Sequence, residues 1–363
     1  MGGGSILAVL ALSALAAVGG SQLVSGTARD AGEPAIRACT GAAAIDFACH
    51  AQRYARLVQR VGARRALRAL AADQRRNGFV RAACHQLTHR IGRAAGALHG
   101  IAALRDGTSI CVSGYPHGVL QAVMGRAGPR RAVHDARSIC AGTRSDGRPS
   151  AEHYNCVHGM GHGYMEVFAS SVFDSLRGCR ALHDRWEQDE CAGGVFMENV
   201  TAMDDPERPS RSLRPDRPLY PCTSVARRLW EQCYEWQVTY ALYVSDGDFR
   251  RVFELCSAAA RAARAPCYRG LGGDAMQQSK FVAAEPARAA TIRRLCALAP
   301  HGAARRACIA GAVHNMYRDY ADGDDHARAL CRSMPAASAQ RSACLRAEAA
   351  ARREVALPEA APA

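Results

Sequence analysis

The stretch 156–163 reads C-V-H-G-M-G-H-G, and its imidazoles raise the first chemical question. On a helix, His158 and His162 stand at i and i+4 on one face, with Glu166 one turn further along. Two imidazoles so placed can hold one metal ion, and a carboxylate on the same stripe can complete or orient the site. His85 and His89 repeat the spacing in C-H-Q-L-T-H-R-I-G. Chance placement of 13 His among 363 residues yields roughly half a pair of this kind, and here there are two.

The skeleton C-x-x-G-x-x-H recurs from Cys111 to His117 and from Cys308 to His314, and in weakened form from Cys191 to Met197 and from Cys267 to Gly273. This is an internal repeat. His117 and His162 share one register of successive repeats. In a stacked array with helix axes about 8–10 Å apart, their side chains converge. The predicted ligands are therefore His85, His89, His117, His158 and His162. Glu166 and Glu198 are the predicted catalytic carboxylates, for ligand, general-base or orienting roles. Such a set suits a transition metal (zinc, copper or iron), and the residue types do not choose among them. Five His suffice for one ion and can support two, which would activate water or oxygen in a hydrolytic or oxidative reaction.

A plainer reading stands beside this one. A His near a helix N-terminus in a Gly-rich stretch can simply bond a carbonyl and fill a gap. Five together without a common purpose would leave many buried polar groups to satisfy. His314 joins the set only if the array closes into a ring. His50, His99, His134, His153, His183, His301 and His326 read as surface or satisfied core. Trp186, Trp230 and Trp236, with Tyr234 and Tyr240, read as inter-helix packing.

The elements that must position these residues are helices. Apolar residues recur at i, i+3 and i+4, and β-branched alternation is scarce. A helix ends near the first Cys of each neighbouring pair, and the second Cys opens another. The spacing predicts disulfides Cys39–Cys49, Cys140–Cys156, Cys179–Cys191, Cys222–Cys233, Cys256–Cys267, Cys296–Cys308 and Cys331–Cys344, with Cys84–Cys111 by elimination. Each staples an αα-hairpin and adds about 2–3 kcal/mol in the chain-entropy picture. No C-x-x-C occurs, which argues against a thioredoxin-like site or a metal-thiolate cluster. The fold class is all-α: tandem disulfide-stapled αα-hairpin repeats forming a superhelical solenoid, or alternatively a closed α/α toroid.

Residues 1–28 read as a signal peptide or N-terminal anchor, with an apolar run from Ile6 to Val18. The repeat domain spans 35–345: a His-rich half at 79–203, a Pro-rich loop at 204–221 and C-terminal repeats at 222–345. A flexible tail follows at 346–363. The loop is too rich in Pro for helix and reads as a connector or a lid. The net charge is +14, carried by Arg, with Lys280 the sole lysine. That charge favours an acidic envelope polymer as partner, alongside an unknown small molecule. Nucleic acid is not expected, since no basic stretch is interleaved with aromatics. Membrane contact is expected only through the N-terminal anchor. Regular Cys spacing in an exported chain predicts an extracytoplasmic location.

No family is recognised over the whole chain. A disulfide in each helix pair resembles cysteine-rich Sel1-like repeat proteins, whose Ala, Leu and Gly signature does not match here. The Cys/His/Gly helix starts also resemble the inner helices of lanthionine-cyclase toroids. That resemblance implies zinc held by Cys and His and requires Cys156 to be a free thiolate, which its pairing opposes. Three functions follow: a metal-dependent hydrolase or oxidoreductase of the cell envelope, a non-enzymatic scaffold for an acidic partner, or a metal storage or delivery protein.

Overall fold

Ser150, Asp184 and Asp248 each stand just before a helix, and each accepts hydrogen bonds from backbone N–H groups of its first turn. Those N–H groups have no partner inside the helix, so a short polar side chain fixes where the helix starts. The structure is a computed structural model that describes residues 38–108, 110–144, 150–204, 209–280, 285–319 and 323–354. The candidate signal peptide or anchor, the last part of the tail (355–363) and part of the Pro-rich loop (205–208) lie outside the described residues.

The described chain is helical without strands. Its α-helices are α1 (Phe47–Val61), α2 (Ala63–Arg76), α3 (Gly78–Ala82), α4 (Cys84–His99), α5 (Ile110–His134), α6 (Ala136–Ile139), α7 (Ala151–Val167) and α8 (Val172–Cys179). They continue with α9 (Arg185–Thr201), α10 (Trp230–Tyr243), α11 (Phe249–Ala258), α12 (Arg264–Ser279), α13 (Glu285–Cys296), α14 (Gly302–Asp319), α15 (Gly323–Arg332) and α16 (Ala339–Glu354). No described helix is long and apolar enough to cross a membrane.

Eight disulfides join the pairs that the spacing matches, with Cα–Cα distances of 5.5–6.0 Å. Together they take up all 16 cysteines, and they point to an oxidising compartment. The second Cys opens its helix in some pairs and not in others: Cys49 and Cys111 stand in the first turn of α1 and α5, whereas Cys156, Cys191 and Cys308 lie more than a turn inside α7, α9 and α14. Capping by Ser150 and Asp184 moves the α7 and α9 starts upstream. The repeated Gly is thereby placed in mid-helix, where it costs about 1 kcal/mol against Ala unless packing requires it.

Packing requires it. The inner helices touch in chain order, from α4, which carries the first Cys of its pair, to α5, α7, α9, α10, α12, α14 and α16, which carry the second, while α8, α11, α13 and α15 each back onto the helix that follows. At the inner crossings the backbones nearly touch. A Cβ on Gly118 would lie 2.0 Å from the His89 carbonyl oxygen, and one on Gly194 would lie 1.9 Å from that of His158. Only a residue without a side chain fits. The Pro-rich connector is tied to the helices it joins. Ser210 donates to Asn199 at 2.5 Å, Asn199 to Gln237 at 3.3 Å, and Gln237 to the Pro218 carbonyl at 2.8 Å.

Candidate metal centre

Helices α4, α5 and α7 carry the predicted imidazoles, and the Gly contacts bring these helices close enough for the rings to meet. His117 lies at the middle, its ring centroid 5.7 Å from His85, 5.2 Å from His89, 5.0 Å from His158 and 4.6 Å from His162. His89 and His162 are 4.9 Å apart. Among the described residues, three groups have ligand atoms within 4.8 Å of one another: His85/His89/His117, His117/His158/His162 and His89/His162/Glu198.

The hydrogen bonds fix which nitrogens face inward. His85 donates Nδ1–H to the Cys111 carbonyl at 2.9 Å, and His162 donates Nδ1–H to the Glu198 carboxylate at 2.7 Å. A carbonyl and a carboxylate only accept, so Nδ1 carries the proton in both bonds and Nε2 is the nitrogen left to face inward. His89 is held through Nδ1 by the Gln121 side-chain oxygen at 3.3 Å. Its Nε2 then faces the Nε2 of His85 at 3.0 Å. Two lone pairs at that distance would repel, so a shared proton or a cation lies between them. Two nitrogens on one tetrahedral ion at zinc–imidazole bond lengths are separated by about 3.3 Å.

The remaining rings are less satisfied still. Both ring nitrogens of His117, Nδ1 of His158 and Nε2 of His162 are buried without a hydrogen-bond partner among the described residues. Each such group costs about 1–3 kcal/mol when nothing binds it. Burial holds His85 down to about 4 and pushes His89, His117 and His158 well below the ordinary imidazole range, with neighbouring rings adding to the effect. The four are neutral at pH 7, as metal ligation demands.

Not every predicted residue enters the cluster. Glu198 does, through His162. Glu166 instead forms a two-pronged ion pair with Arg93 at 2.8 and 3.1 Å and belongs to none of the three groups. Of the His outside the motif, His153 shows what a satisfied core imidazole looks like: Thr143 and Glu187 hold its two nitrogens at 2.9 and 3.1 Å. Cys156 is bonded to Cys140, so the zinc thiolate of the lanthionine-cyclase resemblance has no counterpart here.

A cavity of about 760 Å³ reaches the cluster at His85, His117 and His158. Residues two, three or six places after the second Cys of successive pairs line much of it, among them His158, Trp236, Arg269, His117, Met197 and His314. That stripe is one helix face, shared by helices distant in the chain. His314 thus opens onto the same cavity without joining the imidazole cluster. Glu190, also on the cavity wall, is pushed up to about 7 by burial and by Glu235 nearby. Sequence reasoning missed Glu190, Gln121 and the thioether of Met197, although the shared Cys register marks Met197. No family model, curated protein or solved structure matches this chain.

Proposed function

We propose that the five imidazoles hold a transition-metal ion and that the protein is a metal-dependent enzyme of the cell envelope, hydrolytic or oxidative. The observation that carries this reading is the inward set of buried nitrogens without partners beside a cavity large enough for a small substrate. Zinc, copper and iron all accept such ligands. When bound, the ion would supply Lewis-acid chemistry and lower the pKa of bound water to about 7. The chain's own contributions are separate from the ion. Glu198 and the Cys111 carbonyl orient His162 and His85, and the cavity walls admit the substrate to the His85/His117/His158 side. Arg93 holds the Glu166 carboxylate, which favours Glu198 over Glu166 as the carboxylate serving the ion.

The architecture is taken to be a strongly curved solenoid of stapled hairpins. The order of inner-helix packing supports this, as does a cavity lined from α4 to α16. Secretion or retention at the cell surface fits the disulfide count. Elemental analysis of protein purified from an oxidising compartment tests the reading. Stoichiometric metal that vanishes in the His117→Ala, His162→Ala double variant supports it. A fully folded, metal-free protein that takes up no added zinc, copper or iron overturns it and leaves the acidic-partner scaffold.

A further inference from the structure

Three successive inner helices place a potential donor six residues after their Cys: His117 on α5, His162 on α7 and Met197 on α9. The first two belong to the imidazole cluster. Met197 is buried at 7% exposure, and its sulfur lies 3.4 Å from Nε2 of His158. A nitrogen and a sulfur on one tetrahedral ion, at ordinary bond lengths of about 2.0 and 2.3 Å, are separated by about 3.5 Å. The observed spacing is that of two ligands sharing an ion.

Building on the metal reading above, we propose that Met197 is a thioether ligand and that the resident ion is copper(I), held by His117, His158, His162 and Met197. Ligand softness points the same way. Thioether sulfur selects copper(I), whereas zinc and iron(II) in imidazole sites take nitrogen and carboxylate oxygen readily. No thiolate competes for this role, because every cysteine is in a disulfide.

The test uses the full chain with disulfides intact, stripped of metal and loaded anaerobically with one equivalent of copper(I). X-ray absorption at the copper edge should show one sulfur at about 2.3 Å beside the nitrogens. In competition against a copper(I) chelator such as bathocuproine disulfonate, Met197→Leu should weaken copper(I) by about tenfold or more, with zinc(II) affinity unchanged. Leu conserves volume, and circular dichroism checks that the fold survives. A copper shell of nitrogen alone, read on the native chain and independent of any variant, overturns the proposal. So does equal copper(I) affinity in a folded Met197→Leu chain. If zinc binds stoichiometrically and copper(I) does not, the copper assignment falls and the metal site stands. If neither binds, both fall.

Discussion

The α7/α9 crossing and the α12/α14 crossing share their backbone contacts and differ in their side chains. A Cβ on Gly161 would meet the Cys191 carbonyl oxygen at 2.1 Å, and a Cβ on Gly272 would meet that of Cys308 at 1.8 Å. In the reverse direction Gly194 approaches the His158 carbonyl and Gly311 the Arg269 carbonyl, each to 1.9 Å from the built Cβ. Every partner occupies the same place relative to its Cys. Yet where α7 has His162 against Glu198, α12 has Gly273 against Asn315, whose amide would lie 2.9 Å from a Cβ at Gly273. Asn315 in turn donates to the Gly311 carbonyl at 3.1 Å and accepts from Arg318 at 2.6 Å. One crossing keeps imidazole nitrogens without partners, and the other fills the equivalent space with a satisfied amide. The Gly positions therefore serve the fold at both crossings, while the imidazoles belong to one of them alone.

One effect should ignore that difference. Gly161→Val and Gly272→Val should each destabilise by about 3 kcal/mol or more, because the added carbons have only backbone to displace. Guanidinium unfolding with disulfides intact measures both, and a mild cost at either crossing would break the equivalence.

The next effect should separate the two crossings. A metal ion at a thousandfold excess over its Kd should raise stability by about 4 kcal/mol in the native chain. The same addition should do nothing for His117→Ala, His162→Ala. Asn315→Ala, at the other crossing, should keep the full metal response in a thermal shift. Among the carboxylates, Glu198→Gln should lower metal affinity about tenfold or more, since orienting partners carry that weight. Glu166→Gln, paired with Arg93 instead, should leave metal affinity unchanged.

The two halves should also answer pH with opposite sign. In metal-free protein, the folded His85 is held to about 4 against an ordinary value of 6.5, so the unfolded chain binds more protons between those limits. Stability should fall as pH drops from 6.5 to 4, by roughly 3 kcal/mol from this ring. Asp274, on α12, accepts from Thr239 at 3.0 Å and is pushed up to about 7 by burial. Its folded form holds the proton more tightly than its unfolded form, so its share of stability is lost as pH rises from about 4 to 7. Asp274→Asn should therefore gain about 2 kcal/mol at pH 8, and nothing at pH 4, by denaturant titration.

Much of the fold was legible because its determinants are local. Cysteines ten to sixteen residues apart on either side of one interhelical link have few other partners within reach. The i, i+4 spacing of His158 and His162 and the shared register of His117 were likewise visible in the chain. The starts of α7 and α9 lie more than a turn upstream of Cys156 and Cys191 because a capping Ser150 or Asp184 outweighs the apolar period. Glu166 read as a site residue because it continues the His158/His162 stripe; the helix face alone gave no sign that Arg93, 73 positions away, would take it.

The sequence by itself determined the helical class, the stapled pairs and the candidate imidazoles, since periodicity and spacing are properties of a single segment. Only the tertiary structure decided which of those imidazoles go without partners. Hydrogen-bond satisfaction depends on groups that neighbouring helices bring up from elsewhere in the chain: Cys111, Gln121 and Glu198 reach three rings, and no hydrogen-bond partner among the described residues reaches His117.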